Sequence, residues 1–232
     1  MQGNDNVKVL AILSEKGGAG KTTVAVHLAV AAQLAGLDTA IIDLDPQGSA
    51  ANWSDRRASA PEAVAIPPVR LEKLLADLRG NGADLVVIDT GRDSNNAGYT
   101  AAQAADFVLV PCRAGGFDFQ ALSRTLDMCK LARKRPWLLL NGMRPGATKA
   151  EKDAREALAG DTHDIAPVVL HDRAPYRVAS ITARTAQESE PDSTASAEIA
   201  ALFQWIDGQL ELSTTTQRDT KTTTQRGRKV TA

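Results

Sequence analysis

A nine-residue run near the start of the chain has the residue types that a phosphate-binding loop needs. The run, EKGGAGKTT at residues 15–23, lies between a predicted strand and a predicted helix. Glycines let consecutive backbone N–H groups turn toward phosphate oxygens, and the positive end of the following helix points at the same anion. Lys21 can reach the β- and γ-phosphates, and the Thr22 hydroxyl can bind Mg²⁺. The predicted nucleotide contacts are Gly17, Gly18, Ala19, Gly20, Lys21, Thr22 and Thr23.

This loop departs from the usual pattern G-x-x-x-x-G-K-[ST] at its first position. Glu15 stands where the first glycine is expected, and Lys16 precedes Gly17. The form K-G-G-x-G-K-T-T has a chance probability on the order of one in a million for a chain of ordinary composition. An ordinary glycine-rich turn is therefore a poor explanation of the run.

Carboxylates follow two of the apolar strands. Asp43 and Asp45 stand at the end of one strand, and Asp89 ends another. Ligands of open α/β sheets bind at the carboxyl ends of the strands, and Mg²⁺ prefers oxygen ligands. An aspartate after a strand is often only a cap or turn residue. Because these aspartates are predicted to lie beside the phosphate loop, we favour a role in binding Mg²⁺.

The elements that must position these residues alternate along the chain. Apolar runs predict strands at Lys8–Leu13, Thr39–Asp43, Leu85–Asp89, Phe107–Val110 and Trp137–Leu140. Longer patterns predict helices at Thr22–Ala35, Gly48–Arg57, Val69–Arg79, Phe117–Lys134, Lys149–Ala159 and Ser196–Leu210, with Gly36 closing the first. We expect Ala60–Pro68 and Gly91–Gly98 to be loops. The alternation predicts an α/β fold: a single domain whose mostly parallel twisted sheet carries helices on both faces.

Length and composition agree with one globular domain. The chain has 232 residues, of which 43% are hydrophobic, 24% charged and 4% aromatic, and its net charge is −1. We expect a domain over residues 1–212 and a disordered, basic, threonine-rich tail over 213–232, because the tail has almost no apolar side chains to bury. No apolar run is long enough to span a membrane and no signal pattern is found, so a cytoplasmic location is expected.

The loop resembles the deviant Walker A box of the ParA/MinD family of P-loop ATPases, most closely that of short plasmid-type ParA partition ATPases. The resemblance implies a P-loop NTPase fold, ATP and Mg²⁺ as cofactors, and an ATP-dependent homodimer in which Lys16 reaches the partner's nucleotide. It makes Lys16 and Asp45 catalytic: Asp45, in the run D-L-D-P-Q-G, positions the attacking water, and Asp43 supports that loop. It makes Thr22, Asp45 and Asp89 the metal site, with Asp89 acting through water.

At two positions the resemblance leaves more than one interpretation of the residue. Asn141 matches an asparagine that contacts adenine, but it also suits a turn before Gly142. After Asp89 and Thr90 the run is Gly91-Arg92-Asp93, where relatives carry proline and small residues. Arg92 either contacts phosphate or is only solvated, and we favour the second.

The function that the resemblance implies is DNA segregation, with a plasmid as the favoured cargo. The dimer would bind DNA without sequence preference, through lysine and arginine contacts to phosphates, at the nucleoid. A ParB-like partner would stimulate a weak basal ATPase and release it. Only about seven residues precede the first strand, so sequence-specific DNA recognition is expected to belong to the partner. The candidate DNA contacts form two clusters and include the tail: Lys130, Arg133, Lys134 and Arg135, or Arg173, Arg177 and Arg184.

Three alternatives remain. The same ATPase could position another cargo, such as a chemoreceptor array or a carboxysome. A MinD-like membrane ATPase is disfavoured because the last helix has no lysine or arginine on its polar face. An iron–sulfur relative is disfavoured because Cys112 and Cys129, the two cysteines, lie in apolar strand and helix patterns typical of buried thiols.

Overall fold

The architecture is a single sheet covered by helices on both faces. A computed structural model describes residues 7–57, 59–92, 95–113, 119–160 and 162–212. Within them the strands are β1 (Lys8–Ile12), β2 (Thr39–Asp43), β3 (Glu62–Ala65), β4 (Leu85–Asp89), β5 (Phe107–Arg113), β6 (Trp137–Met143) and β7 (Asp164–His171). They form one seven-stranded sheet in the order β3-β2-β4-β1-β5-β6-β7, and every neighbouring pair is parallel. The predicted α/β class is confirmed.

The helices of the described residues are α1 (Lys21–Leu34), α2 (Ser49–Asp55), α3 (Leu71–Gly80), α4 (Asn95–Ala104), α5 (Phe119–Leu131), α6 (Thr148–Ala157), α7 (Ala174–Thr182), α8 (Ala186–Ser189) and α9 (Thr194–Leu210). Alternate strand residues face opposite sides of the sheet: Leu10 and Ile12 pack toward α1 and α9, while Val9 and Ala11 pack toward α3–α6. Burial on both faces explains why the strands are apolar throughout rather than alternating.

Helix α1 carries the phosphate loop and is the most deeply buried helix on its face. Alanine and valine let it lie close to the sheet, and its residues from Val24 to Ala32 are buried. It ends as predicted at Gly36, whose φ of 85° is left-handed. The Gly36 N–H donates to the Gln33 carbonyl and the Leu37 N–H to the Ala32 carbonyl, which closes the last turn as a Schellman motif.

Several elements correct the sequence-based prediction. The stretch Ala60–Pro68, predicted as a loop, contains the mostly exposed edge strand β3. An edge strand bonds to one neighbour only, so the flanking prolines are tolerated. Helix α4 begins at Asn95, inside the predicted loop Gly91–Gly98. Strand β7 and helices α7 and α8 were not predicted. Strand β7 contains Pro167, and α8 has only four residues, so the sequence pattern gave little sign of either.

Helix α9 confirms the interpretation of its apolar stripe. Its buried residues include Ile199, Leu202, Phe203, Ile206 and Leu210, which pack on the core beside α1. Among the described residues no helix has both the length and the apolar character needed to cross a membrane. The predicted tail 213–232 lies outside the described residues, so the domain boundary at residue 212 stays a prediction.

Candidate functional site

The sheet order brings the phosphate loop and the two strand-end aspartates to one edge. Strand β4 lies between β1 and β2, and its last residue, Asp89, is in register with Ile12 on one side and Asp43 on the other. The loop that follows β1 therefore begins beside both carboxylates. The structure thus places these residues close together. They lie where the chain leaves parallel strands, as ligand sites of such sheets do.

The loop has the backbone conformation that its glycines permit. Gly18 and Gly20 have φ values of 74° and 92°, and α1 begins at Lys21. A Cβ atom on Gly20 would lie 2.3 Å from the Asn141 side-chain nitrogen, so a larger residue there would have to displace that amide. That nitrogen donates to the Ala19 carbonyl at 2.7 Å. Asn141, on β6, thus helps to fix the conformation of the loop.

The Lys21 side chain lies within the loop and binds its backbone carbonyl groups. The side chain is buried, and its ammonium group donates to the Ser14 carbonyl at 2.8 Å and to the Lys16 carbonyl at 3.4 Å. The Lys16 N–H in turn donates to the Ser14 hydroxyl at 3.3 Å. The ammonium charge is therefore held at the base of the loop, where phosphate oxygens would be bound.

Asp89 is the most strongly perturbed carboxylate of the site. It is fully buried, and its Oδ2 accepts a hydrogen bond from the Thr22 hydroxyl at 2.6 Å. Burial raises its pKa to about 7, while the Thr22 hydrogen bond and Lys21 act in the opposite direction. Within the described residues its Oδ1 has no hydrogen-bond partner. An unsatisfied buried carboxylate oxygen beside a hydroxyl fits a hydrated Mg²⁺, which would supply both the missing partner and the missing charge.

Asp43 is a structural carboxylate. Its Oδ1 accepts from the Asp45 N–H at 2.9 Å, and its Oδ2 accepts from the N–H groups of Ala50 and Ala51 at 2.8 and 3.1 Å. Burial raises its pKa, while these backbone donors act in the opposite direction. Asp43 thus joins the start of α2 to the segment that carries Asp45, in agreement with the supporting role that the resemblance implies.

Asp45 lies half-buried at the wall of the phosphate cleft. Its Oδ1 accepts from the Gln47 N–H at 2.9 Å. A Cβ atom on Gly91 would lie 3.0 Å from that same oxygen and 3.4 Å from the Asp45 Cα. The glycine that departs from the family pattern is therefore the residue that lets the β4 end approach Asp45 closely.

The cleft itself has a volume of about 550 Å³. The loop residues Gly17–Thr23 line it together with Asp45, Gln47, Ser49 and Arg92. Arg92 is exposed, lines this cleft and lies near Gly17, so the choice between phosphate contact and solvation stays open here. Asp93 lies outside the described residues.

A second cleft of about 350 Å³ continues from the loop on the other side. Gly18, Gly20 and Thr23 line both clefts, and Asn141 and Tyr176 line only the second. This arrangement has room for the base of a nucleotide whose phosphates lie on the loop. Arg113, which the sequence reasoning missed, lines it too and donates to the Gly18 carbonyl at 3.3 Å. Its one sequence signal is its place at the end of a β-strand.

The structure separates the candidate DNA-contacting cations. Lys130 and Arg133 are exposed at the end of α5, whereas Lys134 donates to the Ala105 carbonyl at 2.6 Å. Ion pairs hold three of the arginines: Arg135 with Asp164, Arg173 with Glu198, and Arg177 with Asp172. Arg184 donates to the Glu188 carbonyl.

The two cysteines are free and buried. Burial raises the pKa of each thiol, Cys112 and Cys129, to about 12. Such thiols stay protonated near neutral pH and act as small apolar side chains.

Fold and site together define a nucleotide-binding α/β domain with a glycine-rich phosphate loop. A family model of the CobQ/CobB/MinD/ParA nucleotide binding domain matches residues 10–174, more than half of the chain. The chain belongs to that family.

Individual relatives agree. The chain is 38% identical over 126 residues to "Maintenance of carboxysome distribution protein A" of Gloeobacter kilaueensis. The aligned residues cover 53% of this chain and 57% of the relative. It is 28% identical over 192 residues to "Protein IncC" of Escherichia coli, covering 64% and 53% of the two chains. The chain thus spans about half the length of the curated relatives it matches.

Solved structures show the same fold. The MinC:MinD cell division protein complex of Aquifex aeolicus superposes with a TM-score of 0.68 at 14% identity, covering 87% of this chain and 96% of that chain. An ATP complex of McdA from Cyanothece superposes with a TM-score of 0.66 at 17% identity, covering 89% and 97%. MinD of Pyrococcus horikoshii, solved with Mg-ADP, superposes with a TM-score of 0.66 at 17% identity, covering 87% and 96%.

Proposed function

We propose that this protein is an ATP-dependent DNA segregation ATPase whose ATP-bound dimer binds DNA without sequence preference. One observation carries the proposal: two lysines and two aspartates lie together at a single edge of the sheet. Lys16 and Lys21 belong to the phosphate loop, and Asp45 and Asp89 lie beside it. The family match and the names of the relatives support it, because they include partition proteins as well as nucleotide-bound neighbours.

The nucleotide's phosphates would lie on the backbone N–H groups of residues 17–23, with the Lys21 ammonium between them. Thr22 and Asp89 would hold the Mg²⁺, Asp89 through a water molecule. When bound, the ion neutralises phosphate charge and draws electron density from the γ-phosphate. Asn141 and the second cleft would receive the base.

In hydrolysis, the oxygen of a water molecule bonds to the γ-phosphorus as the bond to the β,γ-bridging oxygen breaks. ADP and phosphate leave. Asp45, held by the Asp43 and Gln47 contacts, would orient that water. Lys16 of a second protomer would stabilise the charge that spreads over the transferred group. Because the complete site then exists only in the dimer, basal turnover is expected to be slow until a ParB-like partner stimulates it.

DNA contact is proposed for the exposed cations of the dimer, with Lys130 and Arg133 as the best candidates. The ion pairs of Arg135, Arg173 and Arg177 already use those guanidinium groups. Contacts to phosphates carry no sequence preference and depend strongly on salt. Such a dimer would work on the DNA of the nucleoid.

A second candidate is the same ATPase acting on another cargo. It is favoured by one specific observation: the relative with 38% identity is named for the distribution of carboxysomes. The residues of the site serve both functions equally, because the cargo is chosen by the partner protein.

The test is binding of an arbitrary DNA duplex with ATP, with ADP and without nucleotide, over a series of salt concentrations. We expect tight binding only with ATP and a steep loss of affinity as salt rises. Lys21→Ala, which removes the central phosphate cation, is the control and should not bind DNA in any condition. Affinity that ignores the nucleotide would contradict the proposed switch, and absence of DNA binding with ATP would favour a track other than DNA.

A further inference from the structure

Arg92 extends over the phosphate loop from the end of β4. Its Cδ and Nη1 atoms lie 3.3 and 3.5 Å from the position that a Cβ atom would take on Gly17. The segment that carries it is fixed on both sides: the Thr90 hydroxyl donates to the Ile12 carbonyl at 2.9 Å, and Gly91 packs on Asp45. The two residues before Arg92 therefore fix the point from which its side chain extends over the loop.

The position of Arg92 along the nucleotide path is specific. It lines the first cleft together with Asp45, Gln47 and Ser49, and it does not line the second cleft, where Asn141 lies. Because the second cleft would receive the base, Arg92 stands at the end where the phosphate chain of a nucleotide would terminate.

The charge balance of this end calls for a cation. Mg²⁺ held by Thr22 and Asp89 would offset the charge of Asp89, which leaves the Asp45 carboxylate on this cleft, and the Lys21 ammonium is held at the loop's base by carbonyl groups. A guanidinium presents a planar set of donors that fits two phosphate oxygens at once. Among the described residues no hydrogen bond or ion pair engages the Arg92 guanidinium, in contrast to the paired Arg57 and Arg173.

We infer that Arg92 binds the terminal phosphate of the nucleotide held by its own protomer, and so distinguishes a nucleoside triphosphate from a diphosphate. The inference rests on the proposed nucleotide site and adds a residue that the family pattern does not supply. The first cleft gains a second cation of its own, before any partner protomer brings Lys16.

Hydrogen bonds between charged groups and phosphate contribute more than neutral ones do. Removing the guanidinium is expected to weaken binding of a triphosphate by about 10- to 100-fold. In the proposed pose a diphosphate would end before it reached Arg92, so its affinity is expected to change less than about twofold.

The experiment titrates Mg²⁺ with ATPγS, and separately with ADP, into the full chain and into Arg92→Ala and Arg92→Lys. The matched control is Arg79→Ala, which removes the same exposed charge from the end of α3, before β4 begins and therefore at the opposite edge of the sheet. All titrations are repeated with Lys16→Ala, because a contact within one protomer persists when the cation for the partner's nucleotide is gone.

Support is a selective loss of ATPγS affinity in Arg92→Ala, partial recovery in Arg92→Lys, no change in Arg79→Ala, and the same loss with Lys16→Ala. Equal losses for both nucleotides, or no loss for either, would overturn the inference while leaving the nucleotide site intact. If the parent chain itself binds neither nucleotide, the proposed function fails first, and the role of Arg92 fails with it.

Discussion

His27 is a fully buried side chain on α1, and it should make the stability of the protein depend on pH. Its Nδ1 lies 2.7 Å from the Thr23 carbonyl and its Nε2 accepts from the Ala186 N–H at 3.2 Å, so these partners assign the neutral tautomer with the proton on Nδ1. Burial lowers its pKa from 6.5 to about 4, although the Thr23 carbonyl and the Glu188 carboxylate act in the opposite direction.

The magnitude follows from the two pKa values. Between about pH 6.5 and 4 the unfolded chain binds a proton at this histidine that the folded chain does not bind. The free energy of unfolding therefore falls as the pH is lowered through this window, by roughly 3 kcal/mol from this group alone. Above pH 6.5 the contribution is fully present.

The variant His27→Gln removes the titration and keeps the chemistry, because an amide can donate to the Thr23 carbonyl and accept from the Ala186 N–H. Urea denaturation of parent and variant at pH 7.5 and pH 4.5 gives the difference in unfolding free energy at each pH. Since pH 4.5 lies just above the folded pKa of about 4, the parent should lose roughly 2.5 kcal/mol more than the variant on acidification. Glu188 and Glu198, whose pKa values their partners lower, also destabilise both proteins in acid, and their effects cancel in the comparison. Parallel losses in the two proteins would refute a buried neutral His27.

The remaining predictions concern the cleft. Lys16→Ala should retain ATP binding and lose hydrolysis by about 100- to 1,000-fold, measured as phosphate release, because the charge on the transferred group loses its cation; turnover equal to that of the parent would remove the proposed role. Asp45→Ala should slow hydrolysis by about 100-fold and accumulate an ATP-bound dimer on size exclusion, whereas a monomer alone with ATP would contradict the assignment. Gly20→Ala should destabilise the fold by about 1–2 kcal/mol from backbone strain alone, and also lose ADP binding because its Cβ meets Asn141; calorimetry and an ADP titration check both, and unchanged binding would show that the loop adapts.

Local sequence was sufficient for the elements next to the phosphate loop. The run at residues 15–23 requires left-handed glycines and a helix start, both of which depend on neighbours along the chain. The strands that end in Asp43 and Asp89 were recognisable because burial on both faces leaves a continuous apolar run. Strand β3 lacks that signal, since it lies exposed at the sheet edge between prolines.

The close approach of Gly91 to Asp45 shows why the sequence could not predict other features of the site. The sequence marks Gly91-Arg92-Asp93 as a departure from the family, but the departure acquires a meaning only when the β4 end meets the β2 end in space. The glycine then admits Asp45, and the next residue lies over Gly17. Arg113 and Asn141 likewise act on the loop from strands more than 90 residues away along the chain.

A few consecutive residues and their backbone preferences were enough to predict the phosphate loop, the α/β alternation and the carboxylates at the strand ends. Three-dimensional packing was needed to show which distant side chains complete the cleft and which arginines are held in ion pairs. It also showed that Asp89 is buried with one oxygen unsatisfied among the described residues. Those outcomes depend on strand order and helix packing, and pairings between remote segments leave no trace in the spacing of either segment.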